Sequence, residues 1–335
     1  MASTSTSTAA PPTTWRRPKP ASPFVRTVVG NIVLGIYIPV TKVMGKRWPR
    51  LAARAMNRFL GRFPRDYTPT PNDVLICSYF KSGTNWTMQI AVQIAYRGRG
   101  EFEHIHDVVP WPDIAVRAKY ALPLTEDGPR QACPTGLRVI KTHLALESEV
   151  PYVPGARYIA VVRDPKDVFV SGYHFLRAVF MGRLMPSVVD WLDVYLSPET
   201  PIGSWAAHVA SYWRVREQPN VLFLTYEAMR ADLAGTVDKI AALMGVTLSA
   251  DERTAVIERS SFKYMKGVEK QFDPQGAPWA NPSGAMLRRG ERGASGELLT
   301  AEQQRRIDAY WQAELERLGC DFPYATAFSG TSSSA

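Results

Sequence analysis

The stretch Val74-Leu75-Ile76-Cys77-Ser78-Tyr79-Phe80-Lys81-Ser82-Gly83-Thr84-Asn85-Trp86 decides the fold class. Its four leading apolar residues follow the turn signal Pro69-Thr70-Pro71-Asn72, and the run is short enough for a buried strand. From Trp86 to Tyr96 the pattern reads as a helix. Between the two stand a lysine and small residues, the composition of an anion-binding loop. Amides at a helix N-terminus have no intrahelical partner and sit at the positive end of its dipole. Gly83 lets backbone approach an anion, while Lys81, Ser82 and Thr84 add donors. By itself the string also suits a helix capped by Ser or Thr after a glycine turn.

Working outward, short apolar runs recur at Leu137–Lys141, Tyr158–Arg163 and Val221–Thr225, the last two followed by helical patterns. This alternation predicts an α/β fold, a central parallel sheet flanked by helices on both faces. Thr300-Ala301-Glu302-Gln303 is a capping box that opens a final helix, and Leu318-Gly319 closes it. A chain of 335 residues, 45% apolar and 21% charged, is an ordinary globular protein, which excludes the disordered and fibrous classes. The expected division is a disordered tail over 1–24, a basic N-terminal segment over 25–66, one catalytic domain over 67–328 and a frayed end over 329–335.

The formal charge of +9 is unevenly placed. Residues 1–70 hold twelve Lys or Arg and one acid, Asp66, so this segment is +11 and the remainder −2. The basicity therefore marks the N-terminus and not a nucleic-acid surface. Val25–Met44 is apolar but interrupted by Arg26, Asn31, Pro39 and Lys42, which makes it short and broken for a membrane span of about 20 residues. Trp48, Leu51, Ala55, Met56, Phe59 and Phe63 then recur at helical spacing, with Lys46, Arg50, Arg54, Arg58 and Arg62 on another face. Three readings of this segment stand: peripheral contact with an anionic membrane through residues 25–65, a helix docked on the core, and a cleaved organelle transit peptide. Three cysteines, Cys77, Cys133 and Cys320, widely separated and without CxxC pairs, point to a reducing, cytoplasmic setting and no structural metal.

The loop and its surroundings resemble a known family. Tyr79-Phe80-Lys81-Ser82-Gly83-Thr84-Asn85-Trp86 is similar to the 5′-phosphosulfate loop of the cytosolic-type sulfotransferases, a P-loop-like element. Val162-Arg163-Asp164-Pro165-Lys166-Asp167-Val168, continuing to Ser171-Gly172-Tyr173, is similar to their 3′-phosphate motif. Leu287-Arg288-Arg289-Gly290 with Gly293 resembles their late RKGxxG element, and Lys141-Thr142-His143 and Thr225-Tyr226-Glu227 match in order. The resemblance implies 3′-phosphoadenylyl sulfate as donor, adenosine 3′,5′-bisphosphate as product and no metal. It places Lys81, Ser82, Gly83, Thr84, Asn85, Trp86, Arg163, Ser171, Tyr226, Ser260, Phe262, Met265, Arg288, Arg289 and Gly290 at the donor.

The same match gives roles. His143 is the general base, Lys81 and Lys141 stabilise the departing bridging oxygen, Ser171 restrains Lys81, and Trp86 stacks on adenine. Pro110, Trp111 and His143 border the acceptor. The residues suit that chemistry: a forked guanidinium at Arg163, with a hydroxyl at Ser171 on a helix that Asp164-Pro165 would start, fits a phosphate monoester. An imidazole titrates near working pH, and sulfuryl transfer, like phosphoryl transfer, rests on positioning and electrostatics.

Departures are few. Asn85 replaces a second threonine, Ala294-Ser295 stands where Asp-Trp often follows the RKGxxG element, and Ala250–Phe262 gives no counterpart of the family dimer motif. His104 and His106, with Asp107 and Asp113, would suggest a metal pair if they shared a strand face, but two histidines lack a third ligand. The aromatics Trp111, Tyr120, Tyr152 and Phe180 favour a small apolar or aromatic acceptor hydroxyl or amine. A glycan or lipid head group at a membrane surface is the alternative. A P-loop kinase is remote, since no GxxxxGK[ST] frame precedes Ser82.

Overall fold

The computed structural model describes residues 15–19, 22–58, 62–113, 120–201, 203–274, 276–281 and 294–328. Four strands, β1 (Asp73–Ser78), β2 (Arg138–Thr142), β3 (Arg157–Val162) and β4 (Val221–Thr225), form one sheet in the order β2-β1-β3-β4. Every pairing is parallel, with Leu75 opposite Ile140 and Tyr158, and Ala160 opposite Phe223. Each strand falls within a residue or two of the apolar run that predicted it. The central β1 is buried on both faces, so its sequence is continuously apolar and not alternating.

The helices in chain order are α1 (Pro23–Met44), α2 (Trp48–Asn57), α3 (Thr84–Ala95), α4 (Gly128–Ala132), α5 (Pro165–Leu176), α6 (Val188–Tyr195) and α7 (Trp205–Trp213). They continue with α8 (Tyr226–Ala231), α9 (Leu233–Met244), α10 (Ala250–Arg259), α11 (Phe262–Gly267), α12 (Ala301–Arg317) and α13 (Tyr324–Phe328). Because side chains alternate across a strand, Val74, Ile76, Ile159 and Val161 pack on one face with α3 and α9, while Leu75, Cys77, Tyr158 and Ala160 pack on the other with Tyr212 of α7. A third cluster joins α5, α6, α7 and α12 around Trp205 and Trp311, whose ring centroids lie 6.0 Å apart. Thr300 caps α12 and forms the expected box with Gln303. Asp164 caps α5 by accepting from the Lys166 amide, with Pro165 in the first turn.

The sheet places the site. The chain leaves β1 toward β2 on one side and reaches β3 on the other, which opens a crevice at the carboxyl ends of the strands. Each strand delivers its following residues to that edge: Tyr79 to Gly83 after β1, His143 after β2, Arg163 after β3 and Tyr226 after β4.

The N-terminus differs from expectation in four ways. Arg17 pairs with Asp107 at 3.4 Å, so the described residues 15–19 lie against the body within the span expected to be a disordered tail. The helix begins at Pro23, capped by Ser22, and runs through Pro39 without a break, because only the hydrogen bond that an N–H at position 39 would donate is lost and the flanking turns hold. Pro23–Asn57 is thus a helical segment long and apolar enough to cross a membrane, yet almost none of its apolar window is buried. In α2 the buried residues are Pro49, Ala52 and Ala53, not the face through Leu51 and Ala55. Small side chains let the helix approach the core closely, and Arg54 then reaches Glu199 at 2.5 Å. Phe59 and residues 329–335 lie outside the described residues.

Candidate active site

Lys81 has φ +62° and Gly83 φ +94°, so the loop after β1 turns through the left-handed region twice within three residues. A Cβ at Gly83 would stand 2.8 Å from Cδ2 of Tyr226, so this position needs glycine for space as well as for conformation. The turn exposes the first amides of α3, the groups with no intrahelical partner. Inside it, the Ser78 and Thr84 hydroxyls share a 2.6 Å hydrogen bond. The Ser82 hydroxyl is fully buried and has no partner among the described residues. An orphaned buried hydroxyl costs stability unless something else satisfies it, and an anion oxygen at this loop would do so.

Several contacts set Arg163. Its Nη2 donates to Asp167 at 3.1 Å, its Nη1 to the Lys81 carbonyl at 3.5 Å, and its guanidinium lies 4.4 Å from the Tyr226 ring centroid. Tyr226 meets Trp86 edge to face at 5.7 Å. The Trp86 indole donates to the Ser260 carbonyl at 2.7 Å, and the Ser260 hydroxyl is a second buried orphan. The fold therefore brings Ser82, Gly83, Trp86, Arg163, Tyr226 and Ser260 to one place. Met265 is buried in the core behind this group and Phe262 is largely exposed at the start of α11. Arg288, Arg289 and Gly290 lie outside the described residues.

At the other end of the edge stands His143. Its Nδ1 lies 2.8 Å from the Ser78 carbonyl. A carbonyl only accepts, so Nδ1 carries the proton and Nε2 presents its lone pair. The ring is enclosed edge to face by Trp111 at 5.6 Å and Phe80 at 6.1 Å. Burial, then the nearby Lys141 charge, hold its pKa well below 6.5, so the imidazole is neutral. Its backbone amide donates to Asp113 Oδ2 at 2.7 Å, and the Thr142 hydroxyl donates to the same oxygen at 3.2 Å. Burial raises the Asp113 carboxyl to about 6 against those two bonds.

Two lysines frame this imidazole. The Lys141 ammonium lies 3.2 Å from the Trp111 ring centroid, and the Lys81 ammonium 4.2 Å from that of Phe175. Ser171 is half-buried on α5, one turn before Phe175. Pro110 accepts from the Lys141 amide at 2.9 Å, which ties the Trp111 segment to β2. Asp113 is the residue the sequence misplaced. It drew notice only as a metal ligand, whereas it braces the turn carrying His143. Nothing in the spacing of Asp113 and His143 signals that bond.

His104 and His106 lie in a 3-10 turn, Ile105–Asp107, and not on a strand. The ring of His104 accepts from the His106 amide, Asp107 accepts from the His104 amide, and His106 stacks on Trp111 at 5.3 Å. They shape the wall behind Trp111. Tyr152 is also displaced from the expected pocket: its hydroxyl donates to Asn220 and its ring packs on Tyr158, at the amino end of β3. Phe180 packs on Phe175 at 5.8 Å, and Phe175 meets Phe80 beside His143.

The model of the sulfotransferase domain matches residues 71–319. The chain belongs to the sulfotransferase family. It is 30% identical over 252 residues to sulfotransferase 2A1 of Macaca fascicularis, covering 73% of this chain and 85% of that protein. With sulfotransferase 1C2 of Oryctolagus cuniculus it shares 28% identity, over 77% of this chain and 88% of that one. Among solved structures, mouse sulfotransferase SULT7A1 complexed with PAP superposes with a TM-score of 0.56 at 22% identity, over 74% of this chain and 85% of that one. Retinol dehydratase in complex with androsterone and inactive cofactor PAP gives 0.60 at 20% identity, over 83% and 88%. The parallel sheet with its loop after β1 is thus the fold of this sulfotransferase, and the enzyme's chemistry is sulfuryl transfer.

Proposed function

We propose that this sulfotransferase takes its sulfuryl group from 3′-phosphoadenylyl sulfate and passes it to the hydroxyl of a small apolar or aromatic acceptor, with His143 as general base. The observation that carries the reading is the His143 tautomer: Nδ1 donates to Ser78, leaving Nε2 open on the same sheet edge as the anion loop. The donor needs two anion sites some distance apart. The Lys81–Trp86 loop offers one and Arg163 with Ser171 the other, while the buried Ser82 and Ser260 hydroxyls supply donors left unused among the described residues. Trp86 and Tyr226, already fixed between these sites, are suited to hold the adenine.

In the transfer the acceptor oxygen forms a bond to sulfur as the sulfur to bridging-oxygen bond breaks. The acceptor proton goes to His143 Nε2, and the electron pair leaves with adenosine 3′,5′-bisphosphate. Lys81 and Lys141 place positive charge beside the departing oxygen, the task that a divalent ion performs in phosphoryl transfer. Low basicity keeps His143 unprotonated at neutral pH, and the arriving donor anion then raises its affinity for a proton. Incubating the protein with labelled donor and a panel of phenols, alkyl alcohols, amines and glycans, while following release of the bisphosphate, tests this. Transfer to phenols or alcohols is expected; binding of neither the donor nor the bisphosphate would overturn it.

A further inference from the structure

The exposed flank of α1 is used by nothing described so far. Val25, Val28, Ile32, Ile36, Val40 and Val43 follow one another at intervals of three or four residues, which aligns them along one face of a helix. All six face solvent, from 39% for Val40 to 89% for Val43. The opposite side holds the body: Gly30 is buried with a Cβ position 3.2 Å from Pro278 and Trp279, and Arg26 donates to the Ala280 carbonyl at 2.9 Å. Because those contacts fix α1 lengthwise on the protein, its stripe lies along the surface and does not project from it.

Charge supplies the second observation. Lys42, Lys46 and Arg47 are exposed within about one turn of Val43, and residues 1–70 are +11 while the rest of the chain is −2. An apolar helix face bordered by cations is the form of a helix that lies in the headgroup region of an anionic bilayer. The third observation is where α1 leads. Trp279, beneath Gly30, donates to the Phe180 carbonyl at 2.8 Å. Phe180 packs on Phe175, Phe175 on Phe80 at 5.4 Å, and Phe80 on His143. A chain of contacts therefore runs from beneath the protein-facing side of α1, through Trp279 and three phenyl rings, to the base.

We propose that α1 seats this sulfotransferase on an anionic membrane and that its acceptor is a membrane-resident amphiphilic alcohol, whose tail follows the Trp279–Phe180–Phe175–Phe80 wall while its hydroxyl meets His143. The bilayer seat stands on α1 alone; the acceptor class rests on the sulfotransferase reading above. The test uses the full chain and sedimentation with vesicles of phosphatidylcholine, with and without phosphatidylglycerol. Binding should need the anionic lipid and fall with salt, and an I32D/I36D variant should lose at least tenfold in partitioning while binding adenosine 3′,5′-bisphosphate as the wild type does. The same pair is then compared on hexadecanol dispersed in the vesicles and on butanol in free solution. Transfer to hexadecanol should fall about tenfold in the variant and transfer to butanol should not change.

Salt-independent or absent vesicle binding overturns the membrane seat. Equal loss on both alcohols overturns the delivery route. A variant that turns a dimer into a monomer with vesicle binding intact assigns the stripe to a second copy of the chain instead. Failure to bind the bisphosphate in both proteins would overturn the sulfotransferase reading while leaving the vesicle result to stand.

Discussion

The carboxyl edge of the sheet and the helix α1 use opposite strategies for residues that cost free energy where they stand. At the edge, polar groups are buried: Ser82 and Ser260 have orphaned hydroxyls, Arg163 is 8% exposed and His143 7%. Along α1, apolar groups are exposed, Val43 at 89% and Ile36 at 58%. Each is unfavourable for an isolated soluble protein and each is relieved by an external component of matching chemistry, an anion in the first case and a lipid phase in the second. A site is recognisable when the fold holds a group where the protein alone does not satisfy it.

Replacing His143 should break the contrast most severely. His143→Ala is expected to lower kcat by about 10²–10⁴-fold with nucleotide affinity unchanged, since a positioned general base contributes about that much. Loss of binding as well would make the imidazole a structural group. Next comes Gly83→Ala, which forces a Cβ to 2.8 Å from Tyr226 at φ +94°. Denaturant unfolding should show a loss of about 1–3 kcal/mol, and titration should show weaker binding of the bisphosphate; unchanged behaviour in both would mean the loop is more tolerant than its geometry implies.

Asp113→Ala removes the acceptor of the His143 and Thr142 hydrogen bonds. Turnover should fall about tenfold, roughly the worth of one hydrogen bond to a charged group, with nucleotide binding retained. The wild-type pH profile tests the surroundings of His143 itself. Because the His143 pKa is depressed in the free enzyme, kcat/KM of the wild type should stay level as pH falls through 6.5 and decline only below that. An acidic limb centred at 6.5 would show that burial does not act on His143 as described. The smallest effect belongs to α1. Ile36→Ser should leave stability in lipid-free buffer within about 0.5 kcal/mol, as for an exposed position, whereas Leu75→Ala at the buried centre of the sheet should cost about 2–5 kcal/mol.

The two regions also differ in how far the sequence disclosed them. Val74–Cys77 and its three companions are buried on both sides, so each leaves a continuous apolar run that reads directly as a strand. Lys81, Gly83 and Arg163 sit at strand ends, where local composition carries the chemistry. His143 was placed by its neighbours in the sequence, not by its own type. Asp113 escaped, since the bond to the His143 amide joins positions 30 residues apart through tertiary structure. The course of α1 escaped for another reason. Pro39 suggested a break, but a helix supported on both sides of a proline continues, and the alternation of its protein-facing and solvent-facing sides depends on Gly30 meeting Trp279.

The central claim is that the carboxyl edge is built for a nucleotide with two separated anions. Calorimetric titration of the full chain with adenosine 3′,5′-bisphosphate and with adenosine 5′-monophosphate tests it directly. The account predicts that the bisphosphate binds at least tenfold more tightly and that Arg163→Ala abolishes the difference; equal affinities in the wild-type protein, or no binding of either, would contradict it.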